Sequence, residues 1–324
     1  MNKIQQKFAQ IFNVPPVFHN FLDMVATVQE MELVLLLHQK EMTASEIADA
    51  ISVSVSEIDD ILKKAEYRIL VKKEFRDGQN YYFPASFYKR VSRLSIDTRW
   101  EGVPKEVQES VSKWEMDEFI KLNKETAFKF LQDPNNPPEL PNQDVLLMEE
   151  ALAQVDAASF FALDMCDCRQ IMANCTYPEK VCLALNEPAR AKIELNPELS
   201  ITKAEAKEMI INANRAGLIH TGLRNWEEYP ELQWGLCNCC SCCCYPMRGG
   251  IEMGLFKKWP RAHFEPSTDE SACISCGLCA ERCQFYAFTF DGEEIQFESD
   301  KCIGCGICAT GCPTEAISMK PFAT

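Results

Sequence analysis

"CISCGLCAERC" (273–283) and "CIGCGICATGCP" (302–313) share one spacing, Cys-x2-Cys-x2-Cys-x3-Cys. Every cysteine of the first run recurs 29 positions later: 273 at 302, 276 at 305, 279 at 308 and 283 at 312. The two runs are therefore one internal repeat. Three thiolates set three residues apart let a short loop wrap a corner of a cubic metal–sulfide core, with backbone N–H groups aimed at the sulfurs. Gly277, Gly304 and Gly306 allow the backbone that close approach. The fourth cysteine of each run starts a helix leading away from its own loop, so the fourth thiolate is expected from the opposite repeat. Between the runs, "AFTFDGEEIQF" reads as a hairpin turning at Asp291-Gly292. A pair of zinc sites is the competing reading. Zinc ligands, however, usually come as two separated short Cys–Cys elements rather than as adjacent runs of four.

Residues 266–322 resemble the bacterial-type ferredoxin domain that carries two [4Fe–4S] clusters. The resemblance implies one cluster on Cys273, Cys276, Cys279 and Cys312, and a second on Cys302, Cys305, Cys308 and Cys283. Pro313 matches that family's proline after the fourth cysteine. Gln284 departs from it at the equivalent place, a change expected to alter local solvation without removing a ligand.

Ten cysteines remain, in two groups. The first is Cys166, Cys168, Cys175 and Cys182, in "CDCRQIMANCTYPEKVC". The second is Cys237, Cys239, Cys240, Cys242, Cys243 and Cys244, in "CNCCSCCC". Disulfides do not explain so dense a set, because neighbouring residues rarely reach disulfide geometry. Cys237, Cys240 and Cys243 repeat the spacing of three, with Cys239 and Cys242 interleaved. The ten are candidate ligands for one or two further [4Fe–4S] clusters, or for one cluster beside a reactive thiol set. Zinc is the alternative metal for this region, and buried cysteines acting as small hydrophobes are the metal-free alternative. Arg169, beside Cys168, is expected to form a salt bridge, or to stabilise an anionic cluster or a substrate carboxylate. Taken together, residues 145–322 resemble a family of anaerobe iron–sulfur proteins. Its members carry a Cys-x-Cys-Arg element (here "CDCR"), a helix closing in "AGLIH", a "CNCCxCCC" block and the two-cluster ferredoxin. Many also have a winged-helix-like N-terminus. This resemblance bears on cluster content and implies no particular reaction.

The chain has 324 residues, of which 47% are hydrophobic, and a formal net charge of −15. The acidity argues against nucleic acid, whose affinity rests on Lys and Arg neutralising phosphates. It suits a redox partner protein with a basic docking patch. Residues 264–324 carry ten Asp/Glu against three Lys/Arg. The N-terminus lacks the apolar region of a secretory signal, and "LVLLL" (33–37) is far short of a membrane span. A soluble, cytoplasmic protein in a reducing compartment is expected, where clustered cysteines mean metal or catalysis more often than cross-links.

Towards the N-terminus, 1–40 reads as helical, with "MVATVQEMELVLLLHQ" (24–39) the clearest segment. Thr43 and Glu46 form a capping box for a short helix, a second helix is expected near 55–66, and "ILVKKEF", "RDGQ" and "NYYF" read as a hairpin. That order resembles a winged helix-turn-helix. Its second helix carries Glu57, Asp59, Asp60 and Glu66 against Lys63 and Lys64, which favours protein docking over DNA. Further on, 114–131 and "VLLMEEALAQV" (145–155) read as helices and "ASFFALDM" (158–165) as a buried strand. Thr202 and Glu205 cap another helix, ended by Gly217. "RGGIEMG" (248–254) lacks the context of a dinucleotide loop, and the four histidines His19, His38, His220 and His263 are isolated.

The expectation is an α+β protein with a winged-helix-like scaffold or docking domain at 1–131, a Pro-rich linker at 132–144, a cysteine-rich cluster-binding domain at 145–265 and a 2[4Fe–4S] ferredoxin domain at 266–324. It would relay single electrons as a carrier or as a subunit of an anaerobic redox complex. The alternatives are a reductase with an open-site cluster in the middle domain and a cluster-based redox-sensing regulator. No residue is singled out as catalytic.

Overall fold

The computed structural model describes residues 1–132, 144–224 and 235–322. The segment expected as a linker, 132–144, lies outside the described residues apart from its two end positions. Helices and sheets are mixed, and the chain divides into two compact units. One is Met1–Glu118 with Gln170–Met172; the other is Phe119–Arg169 with Ala173–Thr324.

The first unit begins with α1 (Lys3–Ile11), α2 (Leu22–Val25) and α3 (Val28–Gln39). The stretch expected as one helix over 24–39 is split, because Thr27 takes the extended conformation of a helix cap and exchanges hydrogen bonds with Glu30. Next come β1 (Met42–Thr43), α4 (Ala44–Ile51), α5 (Val55–Tyr67), β2 (Val71–Arg76) and β3 (Gln79–Pro84), with sheet order β1-β3-β2. Capping boxes at Thr43–Glu46 and Ser54–Glu57 set where α4 and α5 start. After α6 (Phe87–Ser95) comes α7 (Lys105–Gln132), within which the division between the units falls. Phe8, Phe12, Phe18, Ile47, Ile58, Leu62 and Phe87 are fully buried, each worth about 1.5–3 kcal/mol on transfer from water.

The second unit contains β4 (Asp144–Leu146), α8 (Met148–Ala157), β5 (Phe161–Asp164), the first half of α9 (Asp167–Met172), β6 (Cys182–Leu185), α10 (Asn186–Leu195), α11 (Lys203–Arg215), β7 (Ile219–Gly222), β8 (Cys237–Cys239) and α12 (Tyr245–Glu252). The segment expected as helix from 145 opens as strand: Val145 and Leu146 pair with Thr221 and His220 of β7. β4, β7 and β8 form one sheet in the order β4-β7-β8, and β5 pairs with β6. Leu146, Ala151, Val155, Phe161, Leu183, Ala206, Ile210 and Leu236 form its core.

The last sixty residues add β9 (Phe264–Thr268), α13 (Leu278–Glu281), β10 (Phe288–Phe290), β11 (Ile295–Phe297), α14 (Ile307–Thr310) and β12 (Ile317–Pro321). β9 and β12 pair antiparallel, which brings the start and end of this segment together. β10 and β11 form the expected hairpin, with Gly292 at φ 104° and the Asp291 carboxylate accepting from the Glu293 and Glu294 amides. The glycines of "RGGIEMG" serve packing. A Cβ at Gly250 would run into the Trp259 carbonyl, and one at Gly249 into the Phe119 ring.

Candidate metal centre

In the C-terminal segment the cysteines group across the repeats. Cys283, from the first run, lines one cavity with Cys302, Cys305 and Cys308 of the second, closed by Phe285, Phe288, Ile303, Ile307 and Met319. Cys279 is buried within charge range of Cys273 and Cys276, and Cys312 packs against the same apolar cluster. Backbone N–H groups point at the sulfurs: Ala287 N donates to Cys283 Sγ at 3.2 Å and Gly304 N to Cys302 Sγ at 3.3 Å. Gly304 is left-handed (φ 71°), and a Cβ there would overlap the Phe264 carbonyl, so the loop closes only with glycine. Burial pushes the Cys305 thiol up to about 12 and the Cys308 thiol up as well. These thiols are protonated unless a cation draws the protons off, and a coordinating metal does that outright. Thiolate donors, N–H groups on sulfur and a closed apolar surround all suit a [4Fe–4S] cluster.

The ten middle cysteines are regrouped relative to the sequence. Cys175 joins Cys240, Cys242 and Cys243, all four Sγ atoms lying within 4.8 Å of one another. The other six, Cys166, Cys168, Cys182, Cys237, Cys239 and Cys244, line a second cavity together with Asp167 and Val181; Cys240 and Cys243 reach its wall. Cys237 hydrogen-bonds both Cys182 and Cys239, Cys239 also meets Cys244, and Cys166 meets Cys168. The evenly spaced Cys237, Cys240 and Cys243 thus line one cavity together, while Cys240 and Cys243 also belong to the quartet. Strand alternation in β8 turns Cys237 and Cys239 to one side and Asn238 to the other, and Cys240–Cys243 lie in the turn beyond. Cys168 and Cys182 are pushed well above the ordinary thiol value, first by hydrogen bonding to Cys166 and Cys237 and then by burial. In the quartet, the Cys243 hydrogen bond, acting against burial and together with the Arg169 guanidinium, draws Cys240 down to about 4. Burial and then the Cys240 charge push Cys242 up to about 12.

The sequence marks Arg169, His220 and Gln284 without their contacts, and leaves Asn238 and Arg282 unmarked. Arg169 is buried; its Nη1 donates to the Pro178 carbonyl at 2.5 Å, and its Nη2 to the Asn238 carbonyl at 3.0 Å and to Cys240 Sγ at 3.6 Å. It neither forms the expected salt bridge with a carboxylate nor faces solvent among the described residues. Asn238 donates through Nδ2 to the Val181 carbonyl at 2.8 Å, and its Oδ1 lies 2.7 Å from His220 Nδ1. His220 Nε2 lies 3.2 Å from Asn214 Nδ2, which can only donate, so the ring accepts there and donates through Nδ1. Arg282 donates to the last carbonyls of α11, Asn214 O at 2.9 Å and Arg215 O at 3.0 Å. Gln284 Oε1 accepts from Ser241 N at 2.7 Å, and its Nε2 donates to Gly217 O at 2.5 Å. Gln284 therefore ties the loop between Cys240 and Cys242 to the residue after Cys283. The one sequence signal for this was its departure from the proline of the ferredoxin pattern.

The 4Fe-4S dicluster domain family matches residues 267–319. No curated protein and no solved structure matches the chain. The dicluster domain and the thiol groups together support an iron–sulfur electron-transfer role. No helix among the described residues is long and apolar enough to cross a membrane.

Proposed function

We propose that the protein relays single electrons between protein partners, as a free carrier or as a subunit of an anaerobic redox complex. Residues 266–324 form the exposed station and residues 145–265 the inner one. The observation that carries this reading is the doubled four-cysteine run inside the dicluster match, with Cys283 crossing to Cys302, Cys305 and Cys308. In this reading Cys273, Cys276, Cys279 and Cys312 hold one [4Fe–4S] cluster, and Cys302, Cys305, Cys308 and Cys283 hold another. A third sits among Cys166, Cys168, Cys182, Cys237, Cys239 and Cys244. Bound clusters supply one-electron chemistry without bond making.

The chain supplies the rest. Amide N–H groups on Cys283 and Cys302 stabilise negative charge on sulfur, while the surrounding acidity opposes it and holds potentials low. Cys276 is exposed beside Ile274, which is 63% exposed, so a partner can approach the first loop closely. The acidic surface of 264–324 selects a partner with a basic patch. A reducing, cytoplasmic setting fits a chain whose clustered cysteines hold metal rather than cross-links. The order α3, β1, α4, α5, β2, β3, with sheet order β1-β3-β2, supports a winged-helix-like reading of the N-terminal unit. The charges on α5 make it a docking element for protein rather than for DNA. Six thiols exceed the four a cubane takes, so no iron need lack a thiolate, which favours the relay over a reductase with an open-site cluster.

Iron and sulfide analysis of anoxically purified full-length protein, with EPR of the dithionite-reduced state, tests the proposal. Three cubanes give about 12 iron atoms per chain. A value near 8 removes the third cluster. Folded, colourless, iron-free protein overturns the whole reading.

A further inference from the structure

We propose that Cys175, Cys240, Cys242 and Cys243 bind a single Zn2+ ion in a closed site, separate from every cluster. The sulfur spacing carries this. Cys175 and Cys240 Sγ are 3.8 Å apart, Cys175 and Cys243 3.6 Å, and Cys242 and Cys243 3.8 Å. None of the six pairs exceeds 4.8 Å. Tetrahedral geometry turns a Zn–S bond of about 2.3 Å into a sulfur–sulfur edge of about 3.8 Å. A cubane places a whole four-iron metal–sulfide core between its thiolates and so holds them well farther apart than a single ion does. The quartet is therefore the right size for one ion and too small for a cluster.

The surroundings agree. Cys240 and Cys243 have the Cys-x2-Cys spacing common in structural zinc sites, and Cys175 and Cys242 complete a set of four, leaving no coordination position for substrate. Four thiolates on one divalent ion leave a net charge of −2. The buried Arg169 guanidinium stands 3.6 Å from Cys240 Sγ to offset part of it, held in place by two carbonyls. On the other side, Asn174 Nδ2 donates to the Cys242 carbonyl at 2.9 Å, fixing the turn that presents three of the ligands. The ion would pin the loop after α9 to the turn between β8 and α12. That is a structural role, and it holds whether or not the electron-relay proposal is correct.

The test uses full-length protein purified without oxygen and without chelator. Metal analysis and zinc-edge X-ray absorption are measured on the wild type, and metal analysis is repeated on Cys175→Ala and Cys242→Ser. About one zinc per chain is expected, with a single sulfur shell at about 2.3 Å. Both variants should lose that zinc while keeping wild-type iron content and cluster EPR signals. Wild-type protein without zinc, zinc bound by nitrogen or oxygen, or a variant that loses about four iron atoms per chain each overturns the assignment. If the variants do not fold, the wild-type absorption spectrum decides alone. Zinc absent with iron present refutes this site only; iron absent with zinc present refutes the relay only.

Discussion

Replacing His220 by Gln should flatten the pH dependence of stability. His220 is 0% exposed, and both of its ring nitrogens are already paired, Nδ1 with Asn238 and Nε2 with Asn214. Burial lowers its pKa from 6.5 to about 4, with the Asn238 bond opposing only part of the shift. Below pH 6.5 the unfolded chain therefore takes up a proton that the folded chain refuses. Stability is fully present above that pH and is lost as pH falls towards 4. The loss is about 1.4 kcal/mol per pH unit inside the window, so going from pH 7.5 to 5.5 costs about 1.4 kcal/mol from this residue alone. Gln keeps a donor and an acceptor but does not titrate. Urea unfolding of anoxic protein at pH 7.5, 6.5 and 5.5, wild type against His220→Gln, isolates the effect, because every other titrating group and any acid lability of bound clusters is common to both. The wild type should lose about 1.4 kcal/mol more than the variant across that range. Parallel profiles would show that the ring is solvated or charged in the folded state, and the argument would fail.

Three further outcomes are expected. Asn238→Ala leaves the Val181 carbonyl and the His220 Nδ1–H without partners; at about 1–3 kcal/mol each, the urea midpoint should fall by the equivalent of about 2–6 kcal/mol. Gln284→Ala cuts the ties to Ser241 and Gly217, so exchange of the Ser241 amide should quicken about 10-fold or more while iron content is unchanged; unaltered exchange would mean the turn is held by other contacts. Gly304→Ala places a Cβ against the Phe264 carbonyl in a left-handed residue, so purified protein should lose about four iron atoms per chain, read by iron analysis.

The parts of the fold legible in the sequence rest on local chemistry. Thr43 with Glu46 and Thr202 with Glu205 cap helices because a hydroxyl and a carboxylate three residues apart satisfy each other's neighbouring amides, whatever lies beyond them. The turn at Asp291-Gly292 is equally local. The doubled cysteine run declares itself through its period. The partnership of the ten middle cysteines does not, because it depends on pairing across 54 residues of intervening chain, from Cys182 to Cys237. Equal spacing groups Cys237, Cys240 and Cys243, which do line one cavity, but it does not foretell that Cys240 and Cys243 also close up with Cys175 and Cys242. Val145 and Leu146 read as the start of a helix because nothing local signals their pairing with β7. Asn238 lies between two cysteines with nothing local to mark it; its role comes from a side chain that spans Val181 and His220.

The interleaving of the ten thiols also bears on how the protein matures. Each of the two groups draws on both distant segments, so neither exists as a binding site until α10, α11 and β7 have been laid down between them. A nascent chain past Cys244 carries these ten soft ligands before it has the folded geometry that sorts them. Correct loading thus depends on folding running ahead of ion capture.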